Sequence, residues 1–156
     1  MKEQGRRMLS GAPLLAVGLW LTASPLVAQD SDVQGAWRVE TYVMAAGAEH
    51  PAEGRIFFTE SDWQVLFFTL DEEGVVKRAS AEGGTYTLEG DALTFRHLHN
   101  LSVGDAIEGR EATPLRRIYW SPEEGPVEPT HAYVDGDRMT LAFPGGNRLL
   151  LTRSSR

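Results

Sequence analysis

Tyr86-Thr87-Leu88-Glu89-Gly90-Asp91-Ala92-Leu93-Thr94-Phe95 reads as two short strands folded about a Gly-Asp turn. Gly90 supplies the positive φ that a tight hairpin turn demands, and the flanking acids can bond the turn backbone. Leu93 and Phe95 then share one face, with Thr94 on the other. The same pattern returns in Ala132-Tyr133-Val134-Asp135-Gly136-Asp137-Arg138-Met139-Thr140-Leu141, aligned on its Gly-Asp, with Met139 and Leu141 on one face and Thr140 on the other. Only antiparallel neighbours can be joined this tightly, so the two hairpins predict a meander.

Period-two alternation continues on both sides of these hairpins, and helical periodicity is hard to find after residue 30. Trp37, Val39, Thr41 and Val43 alternate with Arg38, Glu40 and Tyr42 after Gly35, as in a half-buried strand. Arg55–Thr59 and Trp63–Leu70 are rich in aromatic and β-branched residues, with a Glu60-Ser61-Asp62 turn between them and Asp71–Gly74 turning the chain again. Further strands are expected at Thr85–Leu88, Ala92–His99, Arg116–Trp120, His131–Val134, Arg138–Phe143 and Asn147–Arg153. So many short, evenly spaced strands must hide their edges. The expected fold is all-β, a single antiparallel up-and-down β-barrel of about 8–9 strands, in preference to a sandwich. Two longer connections, Asn100–Leu115 and the Pro-rich Ser121–Pro129, are expected as solvated loops or as lids over a barrel mouth.

The first 28 residues differ in kind from the rest. Lys2, Arg6 and Arg7 form a basic head, Met8–Ala23 is free of charge, and Leu26-Val27-Ala28 follows the break at Pro25. This is the design of a secretory signal peptide, with cleavage expected after Ala28. The predicted organisation is therefore a leader, 1–28, and one domain, 29–156, working in the periplasm or outside the cell. Loss of the leader removes three basic residues and one acid, taking the net charge from −7 to −9. Such a surface repels nucleic acid and anionic lipid, so neither is expected as a partner, and no stable membrane insertion is expected after leader removal. The chain has no cysteine, which excludes disulfides and an anchor through an N-terminal Cys. The domain must stand on its core alone.

Gly35-Ala36-Trp37-Arg38-Val39 resembles the Gly-x-Trp element that opens the first strand of lipocalins and of the shorter bacterial lipocalin-like domains. Gly54–Thr59, Gly84–Asp91 and the closing Leu149-Leu150-Leu151-Thr152-Arg153 resemble the successive hairpins of that domain in the same order, so that the similarity spans about residues 34–153. The resemblance implies a calycin-type barrel. It further implies that Trp37 packs across the closed end beneath a cavity, with a late-strand arginine, Arg153 or less well Arg148, stacked on it. The Thr-Asp-Tyr element and the C-terminal helix pattern of full lipocalins are missing, so the resemblance points to a barrel and not to a cargo.

His97-Leu98-His99 is the most suggestive polar cluster. Residues two apart in a strand share a face, so both imidazoles could meet one ligand or one metal ion; hydrogen-bonded or exposed histidines at a strand end are the plainer alternative. In Arg116-Arg117-Ile118-Tyr119-Trp120, alternation sets Arg117 and Tyr119 on one side, and Arg116, Ile118 and Trp120 on the other. An inward arginine would recognise a carboxylate, whereas an outward one would pair with surface acids. The expected ligand-binding residues are Trp37, Val39, Phe95, His97, His99, Arg117 and Tyr119. No catalytic residue, metal ligand or cofactor is assigned: Asp71-Glu72-Glu73, Glu123-Glu124 and Asp135/Asp137 sit in expected turns, and no nucleophile elbow, phosphate loop or zinc helix is present. The expected function is non-enzymatic binding of a small hydrophobic or amphipathic molecule in the barrel interior. A barrel packed shut as an envelope interaction module, its protein partner unspecified, and a barrel enzyme with His97 or His99 as base are the alternatives.

Overall fold

The computed structural model describes residues 32–154; the leader assigned to residues 1–28 lies outside them. Nine strands follow in order: β1 (Gly35–Val43), β2 (Glu49–Phe58), β3 (Asp62–Leu70), β4 (Val76–Glu89), β5 (Ala92–Gly104), β6 (Thr113–Tyr119), β7 (Val127–Asp135), β8 (Arg138–Ala142) and β9 (Arg148–Arg153). Every pairing is antiparallel. The strands β1 to β5 pair in succession, β5 pairs with β7, and β7, β8 and β9 lead back to β1. The result is a closed eight-stranded up-and-down barrel with β6 as an extra strand, and no helix occurs among the described residues. Both Gly-Asp turns form as expected, with φ of 65° at Gly90 and 57° at Gly136.

The extra strand does not disturb the meander. The first half of β5, Ala92–Arg96, pairs with Val127–His131, and its second half, His99–Gly104, pairs with Thr113–Tyr119. Strands β6 and β7 therefore lie end to end along one side of β5, separated by residues 120–126. The two long connections shrink to 105–112 and 120–126, and β4 begins at Val76, well before Thr85. Sequence reading shortened these strands because Ala79–Gly84 and Asn100–Gly104 contain small and polar residues of low strand propensity. Cross-strand pairing overrides that propensity, since Ser80 faces Ser102 and Glu82 faces Asn100 across the β4–β5 ladder.

At the floor, Trp37 is fully buried and donates its indole N–H to the Val33 carbonyl at 2.7 Å. The Arg153 guanidinium lies 4.1 Å from the Trp37 ring centroid and donates to the carbonyls of Gln34 and Asp32, at 2.9 Å each. A delocalised cation over an indole face, with its donors satisfied, seals this end. Above it, Ile56, Phe58, Leu93, Phe95, Met139 and Leu141 fill the barrel, with Phe95 ring-to-ring against Trp63 at 4.3 Å and Phe58 at 6.1 Å. A bulge between Val39 and Thr41 shifts the phase of β1 and turns Tyr42 inward against Phe67, where simple alternation had set it outside.

Candidate functional site

Above the aromatic layer the interior becomes polar. His97 (β5), Glu82 (β4) and Glu128 (β7) converge there because each continues an inward face: Phe95 precedes His97, Gly84 follows Glu82, and Thr130 follows Glu128 in period two. The His97 ring is held between the two carboxylates, Nδ1 3.2 Å from Glu82 and Nε2 3.2 Å from Glu128. Ser80 donates to Glu82 at 2.7 Å, and Trp63 meets the imidazole edge to face at 5.1 Å. Burial alone would push the imidazole pKa down, but the hydrogen bonds to Glu128 and Glu82 outweigh it and raise it from 6.5 to about 9. Burial pushes the Glu82 carboxyl up, and its contacts with His97 and Ser80 hold it below the ordinary carboxylate value. At neutral pH His97 is thus an imidazolium, hydrogen-bonded to Glu128 through Nε2 and ion-paired with Glu82 at Nδ1.

This arrangement carries a pH signature. A histidine whose folded pKa exceeds its unfolded value stabilises the fold fully below the unfolded pKa of 6.5 and loses that contribution as pH rises through about 9. The linked stabilisation is on the order of 3 kcal/mol. The thermal midpoint is expected to fall between about pH 7 and pH 10, and a flat profile would show that the ring is not held charged.

Phase inversion governs what else reaches the interior. In β5, Gly84 faces His97 and Gly83 faces His99, so Leu98 is an extra, bulged residue. Beyond it Asn100 and Ser102 face in, while Leu101 and Val103 are exposed. His99 therefore does not share a face with His97, as alternation had suggested. It lies outside, over Gly83, where a Cβ would come within 2.7 Å of its ring, and beside Tyr119 at 6.2 Å. The two imidazoles cannot meet at one ion, and among the described residues no group of three or more His, Cys, Asp or Glu is placed to hold a metal.

The same pairing corrects the inward placement of Tyr119 and gives Arg117 the outward of its two alternatives. Because Tyr119 faces His99 and Arg117 faces Leu101, both point outward, Tyr119 is 70% exposed, and the Arg117 guanidinium lies 5.4 Å from the Tyr119 ring. Arg116, Ile118 and Trp120 take the inner side. Trp37 and Val39 are buried below the cavity and do not line it, whereas Phe95 and His97 do. Sequence reading missed Glu82 and Glu128. The signal was present as period-two runs, Arg78-x-Ser80-x-Glu82 and Glu128-x-Thr130-x-Ala132-x-Val134, but it is visible only if both strands are extended beyond their apolar stretches.

An interior cavity of about 290 Å³ is lined by Tyr42, Trp63, Phe67, Phe95, Leu141, Phe143 and Leu149, with Glu82, His97, Glu128 and Arg110 at its upper side. The Trp63 indole N–H is buried without an acceptor among the described residues. Those four polar residues also border a more open groove of about 570 Å³ along β6, with Arg116, Ile118, Trp120 and Pro144 around it. Residues 105–112 fold across the mouth. Arg78, buried, donates to the carbonyls of Asp105 and Glu111 and to Thr113 Oγ1 at 2.7 Å, Arg110 donates to the Tyr42 hydroxyl at 3.0 Å, and a His50 ring nitrogen lies 3.1 Å from the Glu108 carbonyl. Burial, together with the charge of Arg110, pushes the Arg78 pKa down.

Fold and site together define a closed antiparallel barrel with an aromatic cavity opening into a polar groove. No protein-family model, curated protein or solved structure matches the chain.

Proposed function

We propose that this protein is a lipocalin-like binding protein that takes a small hydrophobic or amphipathic molecule into its barrel without acting on it chemically, and that it works in the periplasm or outside the cell once a leader over residues 1–28 is removed. The single observation that supports this reading is the unfilled interior, about 290 Å³ walled mainly by aromatic and aliphatic side chains and continuous with a polar opening. Space of this kind suits a ligand whose apolar part leaves water while its polar end stays near the mouth. A barrel packed shut would have needed larger side chains at these positions. Catalysis by His97 as a base is disfavoured because the ring, paired with a carboxylate at each nitrogen, is held in its charged form with no free lone pair for a proton.

Native mass spectrometry of residues 29–156, purified gently from the producing cell, tests the reading. A co-purifying small mass that is lost on denaturation is the expected result. An apo mass, together with no thermal shift from fatty acids or haem, would overturn it in favour of a protein-interaction role.

A further inference from the structure

From the groove's charge pattern, and resting on the binding function proposed above, we infer that the ligand is an amphipathic anion whose head group is recognised by Arg110 and Arg116. These two guanidiniums come from the mouth-crossing segment and from β6, and both border the groove into which the aromatic cavity opens. Among the described residues, neither has a carboxylate within 4.0 Å. The acids that border the same groove, Glu82 and Glu128, are both engaged by the His97 ring between them at 3.2 Å.

Among the residues that line the groove, three cations thus meet two carboxylates. This local excess is unusual in a chain of net charge −7. A protein that needed only apolar shelter for its ligand would gain nothing from cations held apart from its many acids. A low-dielectric wall below the groove strengthens their field at the opening. The Thr113 hydroxyl, which accepts from Arg78 and keeps its own proton to donate, stands in the groove wall. A guanidinium offers a planar fork of N–H groups to a carboxylate, so two of them can both bind and orient such a head. The apolar remainder would then descend toward Phe95 and Trp63.

The test compares decanoate with decanol, which share a chain and differ in head charge, by titration calorimetry on the full barrel domain. Decanoate is expected to bind at least about tenfold more tightly, the effect of a charge-assisted contact that decanol cannot make. That ratio should fall toward one in the Arg110→Gln/Arg116→Gln double variant. It should fall partway in Arg116→Gln alone, whose side chain makes no hydrogen bond that the fold depends on. Arg117→Gln, outward on the same strand, should keep the ratio. Equal affinity for the two probes in the unaltered protein would overturn the anion inference while leaving the binding function standing. Tighter binding of decylammonium would overturn it in sign, showing that Glu82 and Glu128 set the preference. If no probe of any charge binds, the binding function itself falls.

Discussion

Replacing His97 with leucine is expected to destabilise the barrel by about 3 kcal/mol at neutral pH, in the range found when one member of a buried ion pair is removed. The substitution keeps an apolar ring-sized volume against Trp63 and Phe95 and deletes the cation shared by Glu82 and Glu128. Glu82 retains the Ser80 hydroxyl as a donor, and Glu128 keeps about a third of its side-chain exposure (35%), which places the loss at the lower end of that range. The variant should lose the alkaline fall set by His97 and reverse the sign of the contribution that Glu82 makes to the pH dependence. Without the imidazolium, burial raises the folded-state pKa of the Glu82 carboxyl above its unfolded value, so that the variant gains stability as pH falls and the carboxyl takes up a proton. Adding Glu82→Gln should recover part of the loss at neutral pH. Urea denaturation at pH 5 and pH 7 decides the matter; a loss under about 1 kcal/mol at pH 7 would mean that water already screens the cluster.

Gly84→Ala is expected to cost a similar amount or more, about 3 kcal/mol or above, for a steric reason. A Cβ at position 84 would sit 1.9 Å from the Arg96 carbonyl oxygen and 3.0 Å from the Leu98 amide nitrogen. Both are backbone atoms, so no rotamer change relieves the clash, and the bulge around Leu98 must move. Because that bulge sets the direction of His97 on one side and of Asn100 on the other, displacement should also shift the His97 imidazole resonances. Gly90→Ala is the control: its φ of 65° carries strain, but nothing lies within 4 Å of the new methyl, so a loss near 1 kcal/mol is expected. Equal losses at positions 84 and 90 would refute the close-approach argument.

The barrel was legible because hairpin turns and period-two faces are local properties. Gly90-Asp91 and Gly136-Asp137 announce their turns, and the resemblance of Gly35-Ala36-Trp37 to a barrel-floor motif led to the Trp37–Arg153 stack. The site was less legible for two physical reasons. A bulge inserts one residue without a distinctive local composition, yet it inverts every assignment that follows, which is how His99 and Tyr119 came to be expected inside. The polar half of the barrel is also built on residues such as Ser80, Glu82, Asn100 and Ser102, whose strand conformation depends on partners distant in the chain. Phe95 and His97 were found because they lie on the near side of the bulge, in phase with Leu93.

Closure of the barrel by β9 against β1 has a consequence for the order of assembly. Gln34 and Arg153, bonded at the floor, are 119 positions apart. Every other junction between chain neighbours can form as the polypeptide emerges, but this seam must wait for residues 148–153. Until they arrive, β1 and β8 each present an unpaired edge, and the nearly complete sheet is at its stickiest one strand before it is finished. The arrival of β9 thus decides whether the barrel becomes a sealed container or an open sheet.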